Sequence, residues 1–155
     1  MLDKEIGYIK ISRFAQTTYT EFKEAMEKLK REGMQKLVLD LQSNPGGYMN
    51  QAIDIADDFL PAGNKIVFTK GKDSRYNSDA MATKQGDFEK GDLIVLINEG
   101  SASASEIVSG ALQDNDRALI VGRRSYGKGL VQSPFDLNDG SELRLTISRY
   151  YTPSG

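Results

Sequence analysis

The chain has 155 residues, 39% of them hydrophobic, enough for one ordinary globular domain with a core of its own. Its 20 basic residues against 22 acidic ones leave a net charge of -2, without the excess that a nucleic-acid or anionic-membrane surface needs. It has no cysteine and no histidine, which excludes a disulfide frame, a thiol nucleophile, a thiolate or His-ligated metal site and a Ser-His-Asp triad. Any general base must then be lysine, carboxylate, tyrosine or a bound water, and any metal must be held by oxygen alone. No apolar run approaches the roughly 20 residues that span a bilayer, and Met1-Leu2-Asp3-Lys4-Glu5 lacks the apolar stretch of a secretory signal. A soluble chain without a membrane span is expected.

Residues 6–11, rich in β-branched and aromatic side chains, predict a strand. Thr18 and Glu21 have capping-box spacing, Phe22, Ala25, Met26 and Leu29 form one apolar stripe, and Gly33 stops the helix so defined. A strand over 36–41 runs into the turn Ser43-Asn44-Pro45-Gly46-Gly47, after which Met49, Ala52, Ile53, Ala56 and Leu60 make a second helical stripe closed by Pro61 and Gly63. Residues 66–69 predict a short strand, and 71–91 a long polar excursion, read as a solvated loop rather than a substrate-facing one. The aliphatic run 93–97 predicts a strand buried on both faces at the centre of a parallel sheet.

A helix over 104–113 carries Ala104, Ile107, Val108, Ala111 and Leu112 on one face. A strand at 118–121, a glycine-punctuated loop at 122–129 and an extended segment at 130–137, interrupted by Pro134, follow. The turn Asn138-Asp139-Gly140 then closes a hairpin whose returning strand alternates Leu143, Leu145 and Ile147 with Arg144, Thr146 and Ser148. There is no repeat or interdomain linker. The strand-helix alternation predicts an α/β fold in one domain over 1–155, with a mainly parallel sheet flanked by helices.

Three loops at strand ends carry the chemistry, and in an α/β sheet such loops gather at one edge. Ser103 and Glu106 match a capping box, so Ser103 should begin its helix with the positive dipole end and free backbone N–H groups beside its hydroxyl, although a serine there can also be only a cap. Lys128 lies between two glycines, which can bring the backbone close and deliver the amine into a packed site. To act as a base it must lose its proton near neutral pH, a depression of about three units from roughly 10.4 that costs about 4 kcal/mol of ammonium solvation. Tyr126, Leu130 and Val131 can desolvate it, and no acidic residue lies within five positions; a solvated turn lysine is the plain alternative. Gly46-Gly47 offers a backbone N–H unobstructed by a side chain, half of a two-donor oxyanion hole with the N–H of Ala104, or else a simple turn.

These loops resemble those of the carboxy-terminal processing, or tail-specific, serine proteases. The resemblance runs through Asp40-Leu41-Gln42-Ser43-Asn44-Pro45-Gly46-Gly47, Gly100-Ser101-Ala102-Ser103-Ala104-Ser105-Glu106-Ile107, Gly110-Ala111-Leu112-Gln113-Asp114 and Tyr126-Gly127-Lys128-Gly129-Leu130-Val131-Gln132 to the closing Tyr151-Thr152-Pro153-Ser154-Gly155. It implies an endopeptidase acting near C-terminal tails through an acyl-enzyme, with Ser103 as nucleophile, Lys128 as general base, Gln132 orienting the lysine, and Gly46 and Ala104 as oxyanion donors. Ser101 and Ser105 are then bystanders. It further implies a spiral β-β-α core of the ClpP/crotonase type, no cofactor or metal, protein or peptide substrates with exposed tails, and a full-length protein exported to the periplasm or cell envelope. Family members usually carry a PDZ domain that captures the tail; nothing in these residues has room for one, so it is expected elsewhere in the full-length protein. Asp114 resembles an acidic position of the family, but at eleven residues beyond Ser103, roughly 16 Å along a helix, it reads as a helix-end or packing residue.

Two other readings compete. Gly122-Arg123-Arg124-Ser125-Tyr126-Gly127-Lys128 fits the phosphate-binding pattern G-x-x-x-x-G-K, but Gly129 stands where a Ser or Thr should bind magnesium, and Leu130-Val131-Gln132-Ser133-Pro134 reads as strand where a helix should begin. The other is a binding module that keeps the fold without the activity.

Overall fold

The computed structural model describes residues 1–83 and 85–155. In chain order it forms β1 (Ile6–Lys10), α1 (Thr18–Arg31), β2 (Lys36–Asp40), α2 (Met49–Asp57), β3 (Lys65–Gly71), a 3-10 turn (Ser74–Tyr76) and β4 (Ser78–Met81). β5 (Asp92–Ile97), α3 (Ala104–Asp114), β6 (Leu119–Gly122), β7 (Leu130–Asp136) and β8 (Glu142–Tyr151) complete it. One sheet, ordered β1-β2-β5-β6, is parallel throughout, and a second, ordered β4-β3-β8-β7, is antiparallel throughout. The expectation of a mixed α/β fold with a parallel sheet and flanking helices holds. The expectation that the sheet is mainly parallel does not, because half of the strands belong to the antiparallel one.

The core is shared between the sheets. Leu37 and Leu39 of β2, Leu93 and Val95 of β5, Phe22 and Met26 of α1, Ile55 of α2, Ile66 and Val67 of β3, and Ile107, Val108 and Leu112 of α3 are buried in one cluster. The 3.6-residue stripes of the helices thus meet the inward faces of the strands. α2 and α3 pack on each other and on β3, and α3 also reaches β6, so the helices tie the two sheets together. Burial of the parallel strands is one-sided. In β5 Leu93 and Val95 are buried while Ile94, Leu96 and Ile97 are half-buried, because the helices seal one face of this sheet more completely than the other.

Three local expectations change. The α1 capping box is not formed as read: Thr18 is already the first helical residue, its hydroxyl donates to the Arg13 carbonyl (3.1 Å) and accepts from the Ala15 N–H (2.9 Å), while Glu21 takes the Thr17 hydroxyl (2.6 Å). The excursion 71–91 contains β4, which pairs back on β3. Its polar residues build that return, since Thr69 Oγ1 donates to the Tyr76 carbonyl (2.7 Å) and Asn77 Oδ1 accepts from the Gly71 N–H (2.9 Å). In the terminal hairpin the alternation of Leu143 and Leu145 does not mark a buried face, because the outer half of β7–β8 extends past the helices.

Candidate active site

The parallel strands end where the three loops meet. Asn44, fully buried, is the junction of two of them: its Nδ2 donates to the Ile11 carbonyl (2.7 Å), and its own carbonyl accepts both the Ala102 N–H (3.0 Å) and the Ser105 hydroxyl (3.0 Å). Ser101, also buried, donates its hydroxyl to the Leu41 carbonyl (2.8 Å) and accepts from the Asn98 N–H (2.9 Å). Ser101 and Ser105 are therefore pins that hold the serine loop on the loop after β2. Ser103 is the one of the three that borders open space.

Ser103 stands at the start of α3 with φ 56° and ψ -115°, a conformation that non-glycine residues avoid. Its N–H donates to Glu106 Oε2 (2.8 Å), the reciprocal bond of the capping-box spacing. The same oxygen accepts the Lys128 N–H (2.8 Å), and Oε1 accepts the Gly127 N–H (2.6 Å) and the Ser125 hydroxyl (2.7 Å). Glu106 thus fastens the lysine loop to the serine. Sequence reasoning gave it only a capping role, since nothing local shows that a carboxylate on α3 meets a loop more than twenty residues on. Tyr150 of β8 adds a second tie: its hydroxyl donates to the Lys128 carbonyl. Burial, and next the Glu106 charge, push the Tyr150 hydroxyl well above the usual phenol range.

Ser103, Lys128 and Gln132 border one cleft of about 550 Å³, together with Gly47, Tyr48, Met49, Ile107, Leu130, Val131 and Tyr150. Lys128 and Ser103 are half-buried, Gln132 is exposed, and Ala104 is buried behind Ser103. A register shift between Val131 and Gln132 bends β7 where it passes the cleft. The apolar surroundings of Lys128 differ from those expected: Tyr126 is 70% exposed and does not line the cleft, whereas Ile107 and Tyr150, distant in sequence, do.

The glycine loop also changes one assignment. The Gly46 N–H is already donated to Asn44 Oδ1 (2.9 Å), closing a tight side-chain turn, so it is not an open donor. Gly46, at φ 97°, lets the backbone pass so close that an added Cβ would lie 2.7 Å from Ser103 Cβ and 2.9 Å from the Ala104 nitrogen. Gly47, at φ 145°, borders the cleft, and among the described residues its N–H is not engaged in a hydrogen bond. Asp114 stays far from this chemistry. It accepts the Ser154 N–H (2.9 Å) and anchors the end of the chain; burial works to raise its carboxyl, and hydrogen bonds from Thr152, Ser154 and Gln113 outweigh this and hold it below its ordinary value.

The phosphate-loop reading loses its physical basis. The Gly127 and Lys128 N–H groups that should face a phosphate both face the Glu106 carboxylate, and the element that follows is β7.

This fold is one shared with peptidases: the solved structure of a photosystem II D1 C-terminal processing protease matches at TM-score 0.86 and 36% identity, covering 97% of this chain and 38% of that one. The chain belongs to peptidase family S41, whose sequence model matches residues 5–155. It is 42% identical over 151 residues to a carboxyl-terminal-processing protease of Synechocystis sp., covering 97% of this chain and 34% of that protein. To a carboxy-terminal-processing protease of Bartonella bacilliformis it is 45% identical over 161 residues, covering 99% and 36%. The chain therefore spans about a third of the length of these curated relatives.

Proposed function

We propose that these residues are the catalytic core of a serine endopeptidase that cleaves proteins near their C-terminal tails. The observation that carries it is the junction at Glu106, one oxygen of which holds both the Ser103 N–H and the Lys128 N–H at the mouth of one cleft. The Ser103 hydroxyl attacks the substrate's carbonyl carbon as Lys128 Nζ takes its proton. The developing oxyanion is held by the N–H of Ala104, at the positive end of α3, and by that of Gly47 in place of Gly46. Collapse breaks the C–N bond with the proton passing to the leaving amine, and water, deprotonated by the same lysine, releases the acyl-enzyme. Gln132 orients the lysine from β7. The PDZ domain that would capture the tail lies in the full-length protein outside these residues. The two sheets form a variant of the spiral β-β-α core, a reading supported by the departure of β3 and β4 to the second sheet between β2 and β5 of the first.

A fluorophosphonate probe tests this directly. Intact-protein mass should show one adduct on the wild type, on Ser101→Ala and on Ser105→Ala, and none on Ser103→Ala. Since removing a cap costs only about 1 kcal/mol, Ser103→Ala should remain folded. Labelling or peptide turnover retained in that variant rejects the assignment.

A further inference from the structure

The cleft at Ser103 and Lys128 carries two arginines, Arg13 and Arg144, and among the described residues no Asp or Glu lines it. In a chain of net charge -2, two arginines facing one cleft without an acid in its lining are a local asymmetry, and such a cleft concentrates anionic groups. Glu106, behind Ser103, spends its two oxygens on Ser103, Ser125, Gly127 and Lys128.

The two arginines sit at different distances from the reacting atoms. Arg13 immediately precedes Phe14, whose N–H donates to the Gly46 carbonyl (3.0 Å) and whose carbonyl accepts the Tyr48 N–H (2.8 Å), so it is anchored beside the glycine loop. Its guanidinium is exposed and has no ion-pair partner among the described residues. Arg144 lies on β8 in register with Pro134 of β7. Pro134 is six positions beyond Lys128, so at about 3.3 Å per extended residue Arg144 lies up to about 20 Å along the strand from the lysine. Arg144 shares one nitrogen with Glu142 (3.0 Å) in a water-exposed pair, which is weakly held and leaves most of the planar fork free. β7 is the edge of its sheet, and the missing N–H of Pro134 is tolerated there, so an extended peptide can lie alongside.

We propose that Arg13 and Arg144 make this cleft selective for acidic peptides, Arg13 reading a carboxylate side chain next to the scissile bond and Arg144 one several residues away. The inference rests on the protease reading of the cleft, and its test separates the two. A neutral decapeptide series carrying a single Glu or Gln at each position in turn is measured for binding to Ser103→Ala by fluorescence anisotropy and for cleavage by the wild type. Ser103→Ala should bind the best Glu peptide about tenfold more tightly than its Gln twin at low ionic strength, with the margin shrinking at about 0.5 M salt. Arg13→Gln should erase the preference at the position nearest the cut, and Arg144→Gln that at the distant one. Equal binding of Glu and Gln peptides, or a preference that survives in the Arg13→Gln/Arg144→Gln double variant, overturns the proposal. If the acidic preference in binding holds while no peptide is cut, the protease reading falls and the selectivity stands.

Discussion

In the parallel sheet Leu39 and Val95 are sealed from water, whereas in the β7–β8 hairpin Leu143 is 45% and Leu145 47% exposed. The first region is held by apolar burial against α1, α2 and α3; the second is held by its own ladder and by polar bonds at its inner end. The candidate site takes one residue from each. Ser103 rises from the packed start of α3, and Lys128 arrives on the approach to the hairpin. What joins them is Glu106, with Tyr150 as a second tie. The core thus fixes Ser103, the proposed nucleophile, while the position of Lys128, the proposed base, depends on a few hydrogen bonds across the boundary.

The comparison can be broken first at the base. Lys128→Arg should lose activity as fully as Lys128→Ala, on the order of 10^4-fold or more, because arginine keeps the charge but cannot give up its proton. Near-normal kcat in Lys128→Arg would make the residue a mere cation. Next comes the packing contrast. Leu39→Ala should destabilise by about 3 kcal/mol in urea unfolding, and Leu145→Ala by less than about 0.5 kcal/mol, since only the first opens a cavity. Equal costs would show that the hairpin is covered in solution.

Glu106→Gln probes the boundary itself. The amide cannot accept all four hydrogen bonds as a carboxylate does, so kcat should fall by roughly 10- to 100-fold with Ser103 still reactive toward a small probe. An unchanged kcat would show that the lysine loop holds its place without Glu106. Asp40 offers a pH-dependent check on the core side. Burial works to raise its carboxyl, but hydrogen bonds from the Tyr8 hydroxyl, the Gln42 N–H and Lys10 outweigh it and hold it below its ordinary value. A carboxyl with a depressed folded-state pKa adds stability that is present above the unfolded value of about 3.9 and lost as pH falls through the folded one. Asp40→Asn should therefore cost about 2 kcal/mol at pH 7, with the gap to wild type closing in acid; a constant gap from pH 7 to pH 3 would place the cost in packing alone.

Much of this was legible residue by residue. The stripe Ala104, Ile107, Val108, Ala111 and Leu112 and the aliphatic run of β5 located α3 and the interior parallel strand, because helical and strand periodicities are local properties of the chain. The polar segment 71–91 hid β4, since a short strand at an exposed edge needs no apolar alternation to be paired. Likewise the alternation of Leu143 and Leu145 promised a buried face that no neighbouring element supplies.

Composition alone narrowed the chemistry: a chain without histidine or cysteine leaves lysine, carboxylate, tyrosine or a bound water as base, and the glycines around Lys128 and after Pro45 marked the loops concerned. Only the tertiary structure decided which of three serines borders the cleft, that Gly46 spends its N–H on Asn44 while Gly47 borders the cleft, that Glu106 binds both loops, and that the strands divide into two sheets. Those facts depend on long-range register and on competition among backbone and side-chain groups for the same hydrogen bonds, and neither is encoded in the spacing of residues along the chain.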